Sequence, residues 1–62
     1  MTPRQIALLK EAVRHDGYVD NEYETSYSMF QLIEMGYLVD IGNAVCEITA
    51  EGREALRNAR EW

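Results

Sequence analysis

The apolar residues in the middle of the chain recur first at helical spacing and then at strand spacing. Met29, Leu32, Ile33 and Gly36 recur at helical spacing and share one face of a predicted helix. Gly36 is expected to end that helix, because glycine adopts the left-handed conformation that follows a helix at little cost. The β-branched and aromatic residues of segment 37–41 then indicate a strand, and residues 44–48 indicate a second one.

A two-residue turn at Gly42 and Asn43 is predicted to join these strands into a hairpin, since a type II′ turn prefers glycine at its first position. Such a turn sets the register, and the register decides on which face each side chain lies. The pairs expected on the buried face are Ile41 with Ala44, Val39 with Cys46, and Tyr37 with Ile48. The residues expected to face solvent are Leu38, Asp40, Val45 and Glu47.

Helices are predicted on either side of this central segment. Thr2, Pro3 and Gln5 form a helix start with a capping box, and Gly17 is expected to end that helix. Its apolar face consists of Ile6, Leu8, Leu9, Ala12 and Val13. Thr49 is expected to cap a last helix that begins at Ala50. A face of that helix suited to close packing carries Gly52, Ala55, Leu56 and Ala59.

The segment that precedes the central helix allows two interpretations. Tyr18 and Val19 suit a short strand beside the hairpin, and the start of the helix then depends on which residue caps it. The candidate caps are Asn21 with Glu24, for a start near Glu22, and Thr25 or Ser26, for a later start. In either case little room remains for another helix before the central one.

The central helix ending in LIEMGYLV, the hairpin, and the helix entry ITAEGREAL together resemble the second half of a winged helix-turn-helix domain. The resemblance covers roughly the last 35 residues well and the first helix loosely, and the helix that normally precedes the recognition helix is shortened or missing. It implies one winged-helix-like α+β domain over residues 1–62, in the order helix, short strand, helix, two-stranded wing, helix. Most domains of this family bind DNA.

The charges are unevenly distributed along the chain, which has six basic and eleven acidic residues and a formal net charge of −5. Between His15 and Gly52 there is no Lys or Arg at all, whereas acids recur throughout that span. The span contains the predicted recognition helix and the wing. Because DNA affinity comes largely from Lys and Arg that neutralise phosphates, we expect this surface not to bind a duplex.

An aromatic stripe runs along the central helix, with Tyr23, Tyr27 and Phe30 at helical spacing and Glu34 continuing it. The simpler interpretation is burial, because a central helix touches neighbours on most sides. The other is an exposed contact surface, since aromatic residues are enriched at protein interfaces. The candidate partner-binding residues are Tyr23, Tyr27, Phe30, Glu34 and Trp62.

Two functions of different classes follow. The first is a non-catalytic, regulatory binding module that acts through a protein partner or as a homodimer; association would also help to stabilise so short a chain. The alternative, implied by the family resemblance, is a small DNA-binding regulator. Its candidate nucleic-acid contacts are Thr25, Ser26, Ser28, Gln31, Arg53, Arg57 and Arg60.

Catalytic and metal-binding patterns are absent from the sequence, which has neither a phosphate-binding glycine loop nor a nucleophile elbow. One cysteine and one histidine cannot form a zinc site, so no cofactor and no enzymatic activity are expected. Cys46 is interpreted as a small core residue and His15 as a helix-end residue. With neither a membrane-spanning stretch nor a signal peptide, a cytoplasmic location is expected.

Overall fold

The computed structural model describes residues 1–22 and 26–59, which form three helices and one antiparallel sheet. The elements are α1 (Pro3–Arg14), β1 (Tyr18–Asp20), α2 (Tyr27–Glu34), β2 (Leu38–Gly42), β3 (Val45–Ile48) and α3 (Ala50–Ala59). This is the small α+β arrangement, with the element order, that the sequence predicts.

The sheet has the strand order β1-β3-β2, so that β3 lies in the middle and the predicted short strand β1 pairs with it. The helices pack against the face of the sheet that carries Leu38, Cys46 and Ile48. From the helices, the core receives Leu9, Ala12, Met29, Leu32 and Leu56. The buried position of Cys46 confirms its interpretation as a core residue.

The starts of the helices follow from their capping side chains. The Thr2 hydroxyl accepts a hydrogen bond from the Gln5 N–H at 3.2 Å, and Gln5 Oε1 accepts one from the Thr2 N–H at 2.9 Å, which confirms the capping box. The Ser26 hydroxyl accepts from the Met29 N–H at 3.2 Å. The later start of α2 is therefore confirmed, and the start near Glu22 is wrong.

The end of α2 and the start of α3 are joined directly. Gly36 has a φ of +81°, and the Tyr37 N–H donates to the Leu32 carbonyl at 2.9 Å, as in a Schellman motif. The Thr49 hydroxyl accepts from the Gly52 N–H at 3.0 Å and donates to the Gly36 carbonyl at 2.6 Å. One threonine thus caps α3 and fastens it to the end of α2.

The end of α1 differs slightly from the prediction that Gly17 terminates it. The helix ends at Arg14, and Asp16 takes the first left-handed position with a φ of +61°. The Gly17 N–H then donates to the Ala12 carbonyl at 2.7 Å. Gly17 follows as a second left-handed residue, packed beneath Arg53 of α3.

The predicted register of the hairpin is wrong by one residue. Asn43 and Ala44 form the turn, with φ values of +56° and +58°, and Gly42 pairs with Val45. Ile41 is an extra residue in a bulge of β2, where the Asp40 carboxylate accepts a hydrogen bond from the Gly42 N–H at 2.9 Å. This local bond competes with the regular ladder, as aspartate side chains often do in turns.

The faces of β2 are exchanged as a result. The observed pairs are Leu38 with Ile48, Val39 with Glu47, and Asp40 with Cys46, in place of the predicted Ile41–Ala44, Val39–Cys46 and Tyr37–Ile48. Leu38, predicted to face solvent, is only 1% exposed, whereas Val39 and Ile41, predicted to be buried, are 45% and 48% exposed. Asp40 now lies on the side of the sheet that faces the helices.

The small-residue face of α3 packs as predicted. Gly52 is buried, and a Cβ at that position would meet the Tyr37 carbonyl oxygen and would lie 2.9 Å from Cγ1 of Ile48. Leu56, one turn further along, is buried in the core. The absence of a side chain at Gly52 therefore allows α3 to approach the start of the hairpin closely.

Candidate functional site

Two exposed aromatic side chains lie side by side on α2, and one of them, Tyr27, is the most exposed large apolar side chain among the described residues. Tyr27 is 73% exposed and Phe30 is 40% exposed, and their ring centroids are 6.1 Å apart with the planes inclined at 21°. Burial of these two residues, the simpler interpretation of the sequence, is wrong. The two side chains lie one helical turn apart, so their stacking follows from the i, i+3 spacing.

The rotation of α2 explains this exposure. Met29 and Leu32 are completely buried and fill the core from α2. Since side chains on opposite sides of a helix cannot both face the same core, Tyr27 and Phe30 are directed outward. Met29 and Leu32 already fill the inner face of α2, so the rings of Tyr27 and Phe30 stay in contact with water.

A cleft of about 200 Å³ adjoins Phe30, between α2, the middle of β2 and the residue that follows β1. Its walls are formed by Asn21, Phe30, Ile33, Glu34 and Asp40. Glu34 is the last residue of α2, and Asp40 reaches this side of the sheet only because of the shifted register. The cleft therefore combines an aromatic ring, an aliphatic side chain and two carboxyl groups from different elements.

The electrostatics of this region are uniformly acidic. The ion pairs within residues 1–22 and 26–59 join Arg14 to Glu11 at 3.2 Å, His15 to Glu11 at 2.9 Å, and Arg57 to Glu54 at 2.7 Å. All three are exposed pairs on α1, its C-cap or α3. No described cation therefore neutralises an acid of α2 or of the sheet.

The predicted partner-binding residues are only partly brought together. Tyr27, Phe30 and Glu34 lie on α2, with Phe30 and Glu34 on the same cleft. Tyr23 and Trp62 lie outside the described residues. Asp40, Ile33 and Asn21 also line the cleft, although the sequence pattern did not indicate them as neighbours of this group. The signal for Asp40 was the turn segment DIGN, in which an aspartate precedes a glycine by two residues and can accept its N–H.

Three of the five candidate nucleic-acid contacts among the described residues have side-chain partners within the chain. The Ser26 hydroxyl caps α2, and Gln31 Oε1 accepts a hydrogen bond from Nε2 of the buried Gln5 at 2.9 Å. Arg57 pairs with Glu54. Ser28 is half-buried and Arg53 is exposed, and they lie on α2 and α3 respectively. Thr25 and Arg60 lie outside the described residues.

Cys46 and His15 carry the most reactive side-chain groups, and both groups have structural roles. Burial raises the pKa of the Cys46 thiol, and the nearby Asp40 carboxylate raises it further. A thiol with a raised pKa stays protonated and is a poor nucleophile. The His15 ring bonds to Glu11 at the exposed C-cap of α1, beside a cleft of about 450 Å³ between α1 and β1.

Metal-binding and membrane-spanning features are both absent from the described part of the chain. No group of three or more His, Cys, Asp or Glu side chains is placed to hold a metal ion among residues 1–22 and 26–59. Within the same ranges, no helix is both long enough and apolar enough to cross a bilayer.

Comparison with known proteins assigns the chain to no family. No protein-family model matches the sequence. No curated protein and no solved structure matches it significantly. The resemblance to winged helix-turn-helix domains therefore stays a prediction.

Proposed function

We propose that this chain is a non-catalytic protein-binding module and that it binds its partner through α2. The proposed surface consists of Tyr27 and Phe30 with Glu34 and is called the α2 face from here on. The observation that carries the proposal is the exposure of the stacked rings of Tyr27 and Phe30 beside a core that is complete without them. Aromatic side chains at the centre of an interface commonly supply much of its binding energy.

Stability does not require this arrangement. The exposed parts of Tyr27 and Phe30 are in contact with water in the folded chain as in the unfolded one, so they add nothing to the hydrophobic stabilisation of about 25 cal/mol per Å² that buried apolar area supplies. Exposed apolar patches of this kind generally mark interaction sites. We infer that Tyr27 and Phe30 are retained for contact with another molecule.

The charge of the molecule favours a protein partner of different charge over a second copy or DNA. A second copy would bring another net charge of −5. A duplex would meet the acidic span from His15 to Gly52, which contains no Lys or Arg to release counterions. The winged-helix-like regulator that the sequence resembles would, on this proposal, use its scaffold for protein binding. A cytoplasmic setting is part of the proposal, since the single cysteine is free and buried.

The experiment is co-purification from the native host with three forms of the chain: wild type, Tyr27→Ala and Val39→Ala. Val39 is the matched control, because it is also an exposed apolar residue but lies on the outer face of the sheet. We expect Tyr27→Ala to lose a protein that both other forms retain, with all three melting temperatures within about 4–8 °C, the shift for ~1 kcal/mol. Retention of every co-purifying protein by Tyr27→Ala would overturn the proposal.

A further inference from the structure

The cleft beside the α2 face carries a more specific inference, which rests on the proposed function. We propose that this cleft receives a guanidinium group, so that the partner docks on α2 through an arginine-bearing segment. The cleft is lined by Phe30, Ile33, Glu34 and Asp40 together with Asn21.

The residues that line the cleft suit both the guanidinium group and the aliphatic stem of an arginine side chain. A guanidinium group is planar, stacks on aromatic faces and forms paired hydrogen bonds with carboxylates. Phe30 offers the ring, and Glu34 and Asp40 offer the carboxylates. Ile33 offers an apolar surface for the aliphatic stem of the side chain, which arginine commonly buries. The volume of about 200 Å³ corresponds to roughly seven waters at ~30 Å³ each, enough for such a side chain.

The charge of these carboxyl groups is not neutralised within the described chain. Neither Glu34 nor Asp40 takes part in an ion pair among residues 1–22 and 26–59. One Asp40 oxygen accepts from the Gly42 N–H, an uncharged donor. Asp40 also adds to the rise in the pKa of the neighbouring Cys46 thiol, as a carboxylate charge on this side of the sheet would. Charge complementarity therefore points to a cationic occupant from outside the chain.

Three other occupants fit the cleft less well. Among residues 1–22 and 26–59, the Lys and Arg side chains that a second copy would supply lie only on α1 and α3, and its net charge of −5 repels the first copy. Nucleic acid is excluded because its phosphates and the carboxylates of Glu34 and Asp40 carry charges of the same sign. A lysine ammonium is a compact, strongly hydrated charge that gains less from the Phe30 face than a guanidinium does.

The experiment is a titration of ¹⁵N-labelled full chain with Nα-acetyl-L-arginine amide, followed by amide chemical shifts. We expect saturable shifts at Phe30, Ile33, Glu34 and Asp40, with a dissociation constant of about 1–10 mM for so small a probe. Nα-acetyl-L-lysine amide should bind more weakly, and Nα-acetyl-L-glutamine amide should cause no saturable shift. The sample mass is measured by sedimentation over the same concentrations.

The decisive comparison is between Glu34→Gln and Glu51→Gln. Both remove one charge from an exposed helical glutamate, but Glu51 lies at the start of α3, away from the cleft. Glu34→Gln should weaken arginine binding about two- to fivefold, as for the loss of one exposed ion pair, and Glu51→Gln should leave it unchanged. Equal weakening in both variants would show a general charge effect and overturn the proposal.

The remaining outcomes separate this proposal from the proposed function. If the arginine probe causes no saturable shift while Tyr27→Ala still loses its partner, the cationic occupant is overturned and the α2 face stands. If the probe binds at the cleft but Tyr27→Ala keeps every partner, the proposed function is overturned. If the amide shifts of the cleft residues change with chain concentration, and the sedimented mass rises with them, the occupant is a second copy. A foreign occupant is then overturned.

Discussion

The register of the hairpin is the structural feature on which the cleft depends, and a pair of neighbouring truncations tests it. In the observed register Leu38 is turned into the core and Val39 is turned away from it, with exposures of 1% and 45%. In the register predicted from the sequence, these two roles are exchanged. Leu38→Ala and Val39→Ala should therefore have very different effects on stability.

The expected magnitudes follow from the burial of each side chain. Truncating a fully buried leucine to alanine costs about 2–5 kcal/mol, including the cavity that it leaves. Val39→Ala removes carbon atoms that are already largely exposed, so we expect a cost below about 1 kcal/mol at ~0.8 kcal/mol per buried methylene. At roughly 0.05–0.15 kcal/mol per residue, a domain of this length has a total stability of about 3–9 kcal/mol. Leu38→Ala should therefore remove a large share of it.

Urea denaturation followed by far-ultraviolet circular dichroism measures both variants. Leu38→Ala should lower the midpoint strongly, whereas the midpoint of Val39→Ala should stay near that of the wild type. The slope of the transition should be the same in all forms if the unfolded surface is unchanged. If Val39→Ala loses more stability than Leu38→Ala, the register predicted from the sequence is correct. Asp40 would then not line the cleft.

Four other outcomes are expected. Gly52→Ala should lower the free energy of unfolding in urea by about 1–3 kcal/mol, because the new Cβ would meet the Tyr37 carbonyl oxygen; a gain of ~1 kcal/mol would show that helix propensity dominates. Because Cys46 is buried, its thiol in the native chain should react with an aromatic disulfide reagent about 100-fold more slowly than in the unfolded chain. Since its pKa is raised above 9.0, its contribution to stability should be complete below that pH and decline above it, and Cys46→Ala should lack this decline. Fluorescence anisotropy should detect no duplex binding at ~0.15 M salt; micromolar, salt-sensitive binding would contradict the account.

The helix boundaries were largely predictable, because most of their signals lie within a few residues of their effects. The pairing of Thr2 with Gln5, the left-handed Gly36 and the cap at Thr49 all appear as the sequence predicts. Each depends on hydrogen bonds inside one turn of chain, which the identities of neighbouring residues determine. The order of helices and strands follows from these boundaries.

The register was not predictable from the same signals. Gly42 and Asn43 suit a simple two-residue turn, but Ala44 adopts a positive φ that L-residues other than Asn and Asp rarely take. The bond from the Gly42 N–H to Asp40 favours the bulge, and burial of Leu38 offsets the strain at Ala44. This balance between a local cost and a tertiary gain cannot be read from strand pattern alone.

The candidate site was predictable only in part, because it also depends on packing between elements. Helical spacing placed Tyr27, Phe30 and Glu34 in one group, but their exposure depends on how α2 is rotated against the core. Asp40 joins them only through the shifted register. A pattern along one helix identifies a candidate surface, and packing between elements decides whether that surface is free.

The most direct test of the central claim is the position from which a partner can be cross-linked. A photoreactive phenylalanine analogue is placed in the full chain either at Tyr27, on the α2 face, or at Tyr18, an exposed tyrosine on β1 that serves as the matched control. After irradiation in the native host, the account predicts a discrete protein adduct from position 27 that position 18 does not give. The same adduct from both positions, or one from position 18 alone, would contradict it.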